Sequence, residues 1–190
     1  PEQTDSAILR EMCGFDPGLD YAAAEAQVQE GFGAGIKAAL EANPDFFLPI
    51  PGALDVFGKV REVGWTPAVA TGGWRPSAEL RLSAAGIPMA GVPLETASEA
   101  IHRADIIRLA ATQAGSGIEP TEIVYVGDGA WDVPACRELS IGFIGRASPD
   151  ARAKLSAQGA RTSIPDFNVP EGLFQLLSDP EALIPTGGSV

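Results

Sequence analysis

From Pro51 onward, short apolar runs alternate with amphipathic stretches of about ten residues, which restricts the fold more than any other feature. The clearest run is Glu122-Ile-Val-Tyr-Val-Gly127, and Pro67 to Thr71, Val92 to Thr96, Ile141 to Ile144 and Arg161 to Ile164 repeat the pattern. Between them lie helical stretches: one starting at Pro51, Pro76 to Ala85, Ser98 to Ala114, Trp131 to Leu139, Asp150 to Gln158 and Glu171 to Leu177. Glycines such as Gly64 and Gly86 stand where the first two should stop. Strands alternating with helices imply βαβ units, right-handed crossovers and a parallel sheet. The expected fold class is therefore α/β, a three-layer Rossmann-like sheet covered on both faces. Ligands of such sheets bind outside the carboxyl ends of the strands.

The first fifty residues carry no strand pattern. They predict helices near Asp5 to Met12, Tyr21 to Gln29 and Gly31 to Ala42, the last with Phe32, Ile36 and Leu40 on one face. Asn43-Pro44-Asp45 ends that region, and Phe46 to Pro51 reads as an extended linker. The expected organisation is a helical subdomain over 1–50, an α/β core over 51–180 and a loose tail over 181–190.

A net charge of −12 leaves no basic stripe to meet nucleic acid or an anionic membrane surface. No apolar run approaches the roughly 20 residues needed to span a bilayer, and the first residues do not resemble a signal peptide. Cys13 and Cys136 lie far apart, in neither metal-ligand nor redox spacing, and read as reduced thiols of a cytoplasmic protein. A single histidine, His102, argues against a zinc site, and no G-x-S-x-G elbow supports a serine hydrolase.

Three groups carry chemistry, two of them at predicted strand ends. Asp128 stands at the tip of the best strand in Gly127-Asp-Gly-Ala-Trp-Asp132, and Asp132 follows in the first turn of the next helix. A sharp turn brings both carboxylates to one point, which suits Mg²⁺ with its few carboxylates and several waters. Helix capping and dipole complementation explain the pair equally well. Thr71-Gly72-Gly73 offers a hydroxyl and two unobstructed amides to a phosphate, or is a plain strand-to-helix turn. Arg103, early on a long helix, either reaches the same sheet edge to hold phosphate or lies on the surface. Trp74 and Trp131, beside these motifs, read as half-buried packing residues.

In this order the motifs resemble those of the haloacid dehalogenase superfamily, across about Pro51 to Leu177. The resemblance implies a Mg²⁺-dependent phosphohydrolase acting on a small phosphorylated metabolite through an aspartyl-phosphate intermediate. It makes Thr71 the phosphate-binding hydroxyl, beside Gly72 and Gly73. It makes Arg103 the cation more often found as lysine, and Asp128 and Asp132 the metal carboxylates. The first fifty residues resemble that family's small helical cap.

The family's first motif, a strand ending in Asp-x-Asp-x-Thr that supplies the nucleophile and the general acid, has no match here. Asp16 and Asp20 follow Gly14-Phe15 and no strand, so neither takes those roles. The expectation is that roughly 10 to 20 residues, a strand with its loop, precede Pro1 in the intact protein and fill the centre of the sheet. Two other readings share this fold. A phosphonatase or dehalogenase would change the chemistry, and Lys37 is the sole cap lysine for a Schiff base. A degenerate member would bind without turnover.

Overall fold

The computed structural model describes residues 4–14, 16, 18–168 and 170–187, with the side chains of 170 and 171 left aside. The elements run α1 (Asp5–Cys13), α2 (Tyr21–Ala42), α3 (Ala53–Glu62), β1 (Val69–Ala70), α4 (Arg75–Ala84), β2 (Leu94–Glu95), α5 (Arg103–Ala114), β3 (Val124–Gly127), α6 (Asp132–Leu139), β4 (Gly142–Arg146), α7 (Pro149–Ala157), β5 (Ser163–Ile164) and α8 (Pro170–Leu177). Single 3₁₀ turns lie at Pro120–Glu122 and Glu181–Leu183.

All strand pairs are parallel, as the alternation predicts. They form two separate ladders, β1-β2 and β3-β4-β5. Period-two side chains on the larger ladder give it two apolar faces. Tyr125 and Phe143 turn to one side, where they pack with Ala104 and Ile107 of α5 and Val133 and Cys136 of α6. Val124, Val126 and Ile144 turn to the other, against Val56 and Val60 of α3 and Leu173 and Leu177 of α8. Helices on both faces of a parallel sheet make the three layers. Phe143, Ile144 and Val133 have no exposed surface, so the core is centred on β4. Cys136 is buried in it and Cys13 is partly buried, both as free thiols, and burial pushes the Cys136 thiol well up.

Three local differences from the sequence reading have physical causes. First, α2 runs unbroken for 22 residues through Gly31, Gly33 and Gly35, where two helices were expected. A side chain at any of those glycines would meet nothing within 4 Å, so no packing or turn geometry requires glycine there. The cost is only its lower propensity, which the length and packing of the helix absorb. Second, α5 starts at Arg103 and not at Ser98. The Ser98 hydroxyl instead accepts the Arg75 amide at the start of α4 (3.0 Å). Third, the tail is tied down as far as Thr186, whose N–H donates to Gly159 (3.2 Å), while Arg161 donates to the Ile184 carbonyl (2.8 Å). Residues 188–190 lie outside the described residues.

Gly52 joins the linker to the core. It sits at φ 80°, and a β-carbon there would fall 2.4 Å from the Phe167 backbone. The close approach lets Phe167 N–H donate to the Pro51 carbonyl (2.9 Å), fastening α3 to the strand layer.

Candidate active site

The carboxyl ends of β1 and β3 place the singled-out residues on one side of the sheet. Tyr125 in β3 donates its hydroxyl to the Ala70 carbonyl of β1 (3.2 Å), so its side chain links the two ladders. Thr71 follows Ala70 directly, and Asp128 follows Gly127, the last residue of β3.

Around Asp128 the chain turns sharply before α6. The Gly129 amide donates to Asp132 Oδ2 (3.1 Å), folding the second carboxylate back toward the strand tip. Glycine leaves room for that carboxylate: a β-carbon on Gly127 would lie 2.6 Å from Asp132 Oδ2, and one on Gly129 2.9 Å from it, so a larger residue at either position would displace the Asp132 side chain. Asp128 is exposed and pairs with Arg146 at the end of β4 (2.9 Å). Asp132 is buried and faces Arg103, with Arg103 Nε 3.1 Å from Asp132 Oδ1. The two atoms do not meet hydrogen-bond geometry with each other, and Asp132 Oδ1 remains a buried acceptor without a hydrogen bond.

Arg103 is therefore a buried cation beside Asp132 and not a surface residue. The sequence could not decide this, because the helix register depended on where α5 begins. With His102 as N-cap, Arg103 falls in the first turn of α5, against the first turn of α6.

Burial pushes the Asp132 carboxyl up from 3.8 to about 6, against the pull of the Arg103 charge and the Gly129 amide, while Asp128 adds to the rise. Between those two values the folded state holds a proton that the unfolded chain has released. Asp132 therefore makes stability fall as pH rises through that window. We expect Asp132→Asn to lose this component. In thermal unfolding from pH 4 to 7, the parent should lose ground relative to the variant as pH rises, and parallel curves would contradict the assignment.

The Thr71 turn is tighter than a plain cradle. The Gly73 amide donates to Thr71 Oγ1 (3.3 Å), which fixes the side chain and leaves its hydroxyl hydrogen available as a donor. The Trp74 amide donates to Asp5 Oδ2 (3.1 Å), and the Asp5 amide donates to the Gly72 carbonyl (2.7 Å). A carboxylate from α1 thus stands beside Gly73. Of the two glycine amides proposed for phosphate, Gly73's is already engaged within the turn.

Three residues here escaped the sequence reading: Asp5, Arg146 and Tyr125. Asp5 looked like an ordinary acidic residue in a helix's first turn, and its partner is 69 positions away. Trp74 is more buried than expected, its indole N–H shared between Ser6 Oγ and Glu25 Oε1 (both 2.9 Å). These bonds hold α1 and α2 against the start of α4. Asp16 and Asp20 are exposed, Asp16 in the connection before α2 and Asp20 as its N-cap. Lys37 is exposed on α2.

Two carboxylates at one strand tip, one exposed and one with an unsatisfied buried oxygen, form a donor set that fits a small hard cation. No group of three or more metal-ligating residues occurs among the described residues. Among the described residues no helix is long and apolar enough to cross a membrane.

The sequence matches the haloacid dehalogenase-like hydrolase family over residues 8–139. No curated protein matches it. Among solved structures it is similar to a hydrolase from Pseudomonas syringae, with TM-score 0.58 and 20% identity, over 68% of this chain and 62% of that one. It is also similar to CbbY from Rhodobacter sphaeroides in complex with phosphate, with TM-score 0.61 and 22% identity, over 80% of this chain and 67% of that one. The chain thus spans about three-fifths to two-thirds of these neighbours' lengths, and at such identities the likeness is one of fold.

Proposed function

Because this chain belongs to the haloacid dehalogenase-like hydrolase family, we propose that it forms most of a Mg²⁺-dependent phosphohydrolase for a small phosphorylated metabolite. The observation that carries this reading is the meeting of Asp128, Asp132 and Arg103 beside the Thr71 turn, at the carboxyl edge of a parallel sheet. The phosphate complex of the CbbY neighbour is consistent with it.

Asp128 and Asp132 would hold Mg²⁺, which supplies charge neutralisation on the phosphoryl oxygens when bound. The chain's own residues do the rest of the positioning. Thr71 donates its hydroxyl to a phosphoryl oxygen, with the Gly72 amide beside it. Arg103 balances the clustered negative charge from below, held in place by Asp132. An aspartate of an added central strand attacks phosphorus in line, and water then hydrolyses the aspartyl phosphate. Residues 1–50 act as the cap, since α1 is bonded to the rim through Asp5 and Ser6, and the cap excludes water from the site. A Schiff-base phosphonatase is disfavoured by the exposed position of Lys37.

The test is turnover of p-nitrophenyl phosphate by the full gene product. We expect EDTA to abolish it and added Mg²⁺ to restore it. Turnover unaffected by EDTA would contradict the proposal and favour a metal-independent member of the same fold.

A further inference from the structure

Among the described strands, β5 pairs with β4 alone. Beside it, a cleft of about 220 Å³ opens between α7 and the chain entering β5. Arg152 and Ser156, about one helical turn apart, line it from α7. Ala160, Arg161, Thr162 and Ser163 line it from the strand side. Two guanidinium groups and three hydroxyls therefore share one small space with a single apolar residue. No carboxylate lines it, although the chain carries 25 acidic residues against 13 lysines and arginines.

The donors of this cleft are not used up by the fold. Ion pairs among the described residues engage Lys59, Arg75, Arg103, Arg108 and Arg146, and neither arginine of the cleft. Arg161 Nε donates to the Ile184 carbonyl (2.8 Å), which anchors the group and leaves its terminal nitrogens for another acceptor. Ser163 Oγ is buried and has no hydrogen bond among the described residues. A β-carbon on Gly145 would lie 3.2 Å from Ser163 Cβ and 2.6 Å from Leu155 Cδ1, so Ser163 turns to the face that α7 covers. A buried hydroxyl without a partner is destabilising, and an acceptor in the cleft removes that cost.

We propose that this cleft binds a tetrahedral oxyanion, a phosphate group either free or carried by a small molecule. Guanidinium forks recognise carboxylates and phosphates alike. Here the donors stand on two walls, which a four-oxygen anion meets at once and a planar carboxylate does not. The volume is that of about seven waters, room for a phosphate with a few further atoms and too little for a nucleotide. The inference goes beyond the phosphohydrolase reading and does not rest on it, since no residue of the Thr71 or Asp128 turns lines the cleft.

The test is a titration of the ¹⁵N-labelled chain with inorganic phosphate, without divalent metal, followed by backbone amide shifts. We expect saturable shifts at Ser156, Thr162 and Ser163. Sulfate should reproduce them, and acetate or chloride at the same ionic strength should not. Arg152→Gln should weaken binding about 10-fold or more, the scale of a hydrogen bond to a charged group, with the rest of the spectrum unchanged. Ser163→Ala should also weaken binding while raising the melting temperature of the phosphate-free protein, because it removes an unpaired buried hydroxyl. A merely structural serine would not separate those two effects. Thr71→Ala should leave the Ser163 shift as it is, which sets this cleft apart from the rim. Glycerol phosphate distinguishes the sources: tighter binding than inorganic phosphate identifies an esterified group as the occupant, and weaker binding the free ion. No saturable shift at Ser163, shifts confined to Thr71 and Gly72, acetate matching phosphate, or full affinity in Arg152→Gln would each overturn the proposal.

Discussion

Replacing Arg103 with methionine should lower the unfolding free energy by about 3 to 5 kcal/mol at pH 7, the range for stripping a buried charge of its partner. The Arg103 and Asp132 side chains are only 10% and 4% exposed, so water cannot take over for either. Methionine fills the volume but leaves Asp132 as a buried carboxylate beside Asp128, in surroundings that already push it up to about 6. The deficit should therefore shrink as pH falls and Asp132 takes up a proton. The double variant Arg103→Met with Asp132→Asn should recover part of the loss, because asparagine can still accept from Gly129 without a charge to bury. Urea denaturation of the four proteins measures this directly. Additive losses in the two single variants would show that the pair is not coupled.

Asp128→Ala should cut the Mg²⁺-dependent turnover of the full gene product by about 100-fold or more, the scale seen when an electrostatic stabiliser is removed from a transition state. Its stability should hardly change. Asp128 is 66% exposed and its ion pair with Arg146 is solvated, so the folded state loses little with it. This separation of activity from stability distinguishes a metal carboxylate from a structural helix residue. Steady-state kinetics and thermal unfolding on the same samples read both quantities. Retained activity, or activity lost only in step with folding, would return Asp128 to a capping role.

The parts of this arrangement that depend on short-range pattern were legible in the sequence. The run before Gly127 had the length and β-branched content of a buried strand, and the acidic turn after it could go nowhere but the sheet's carboxyl edge. Parallel pairing followed from the helices between strands. Contacts set by tertiary register were not legible. Whether Arg103 pointed in or out turned on a helix start displaced from Ser98, whose hydroxyl was drawn to α4 instead. Asp5 reaches the Trp74 amide only after α1 has docked, and nothing local in Thr4-Asp5-Ser6 announces that contact. The two helices expected over Tyr21 to Gln29 and Gly31 to Ala42 are one continuous α2, because the low propensity of glycine is a small term beside the packing of a long helix.

If a divalent ion and a phosphoryl group meet at this rim, Mn²⁺ added with inorganic phosphate will broaden a defined set of backbone amide signals. Those of Gly129, Asp132, Thr71 and Gly72 should fade first and together, and those of Thr121 and Glu122, at the opposite end of β3, should stay sharp. Broadening confined to other acidic surfaces, or Asp132 and Thr71 responding to Mn²⁺ at unrelated concentrations, would contradict a shared site.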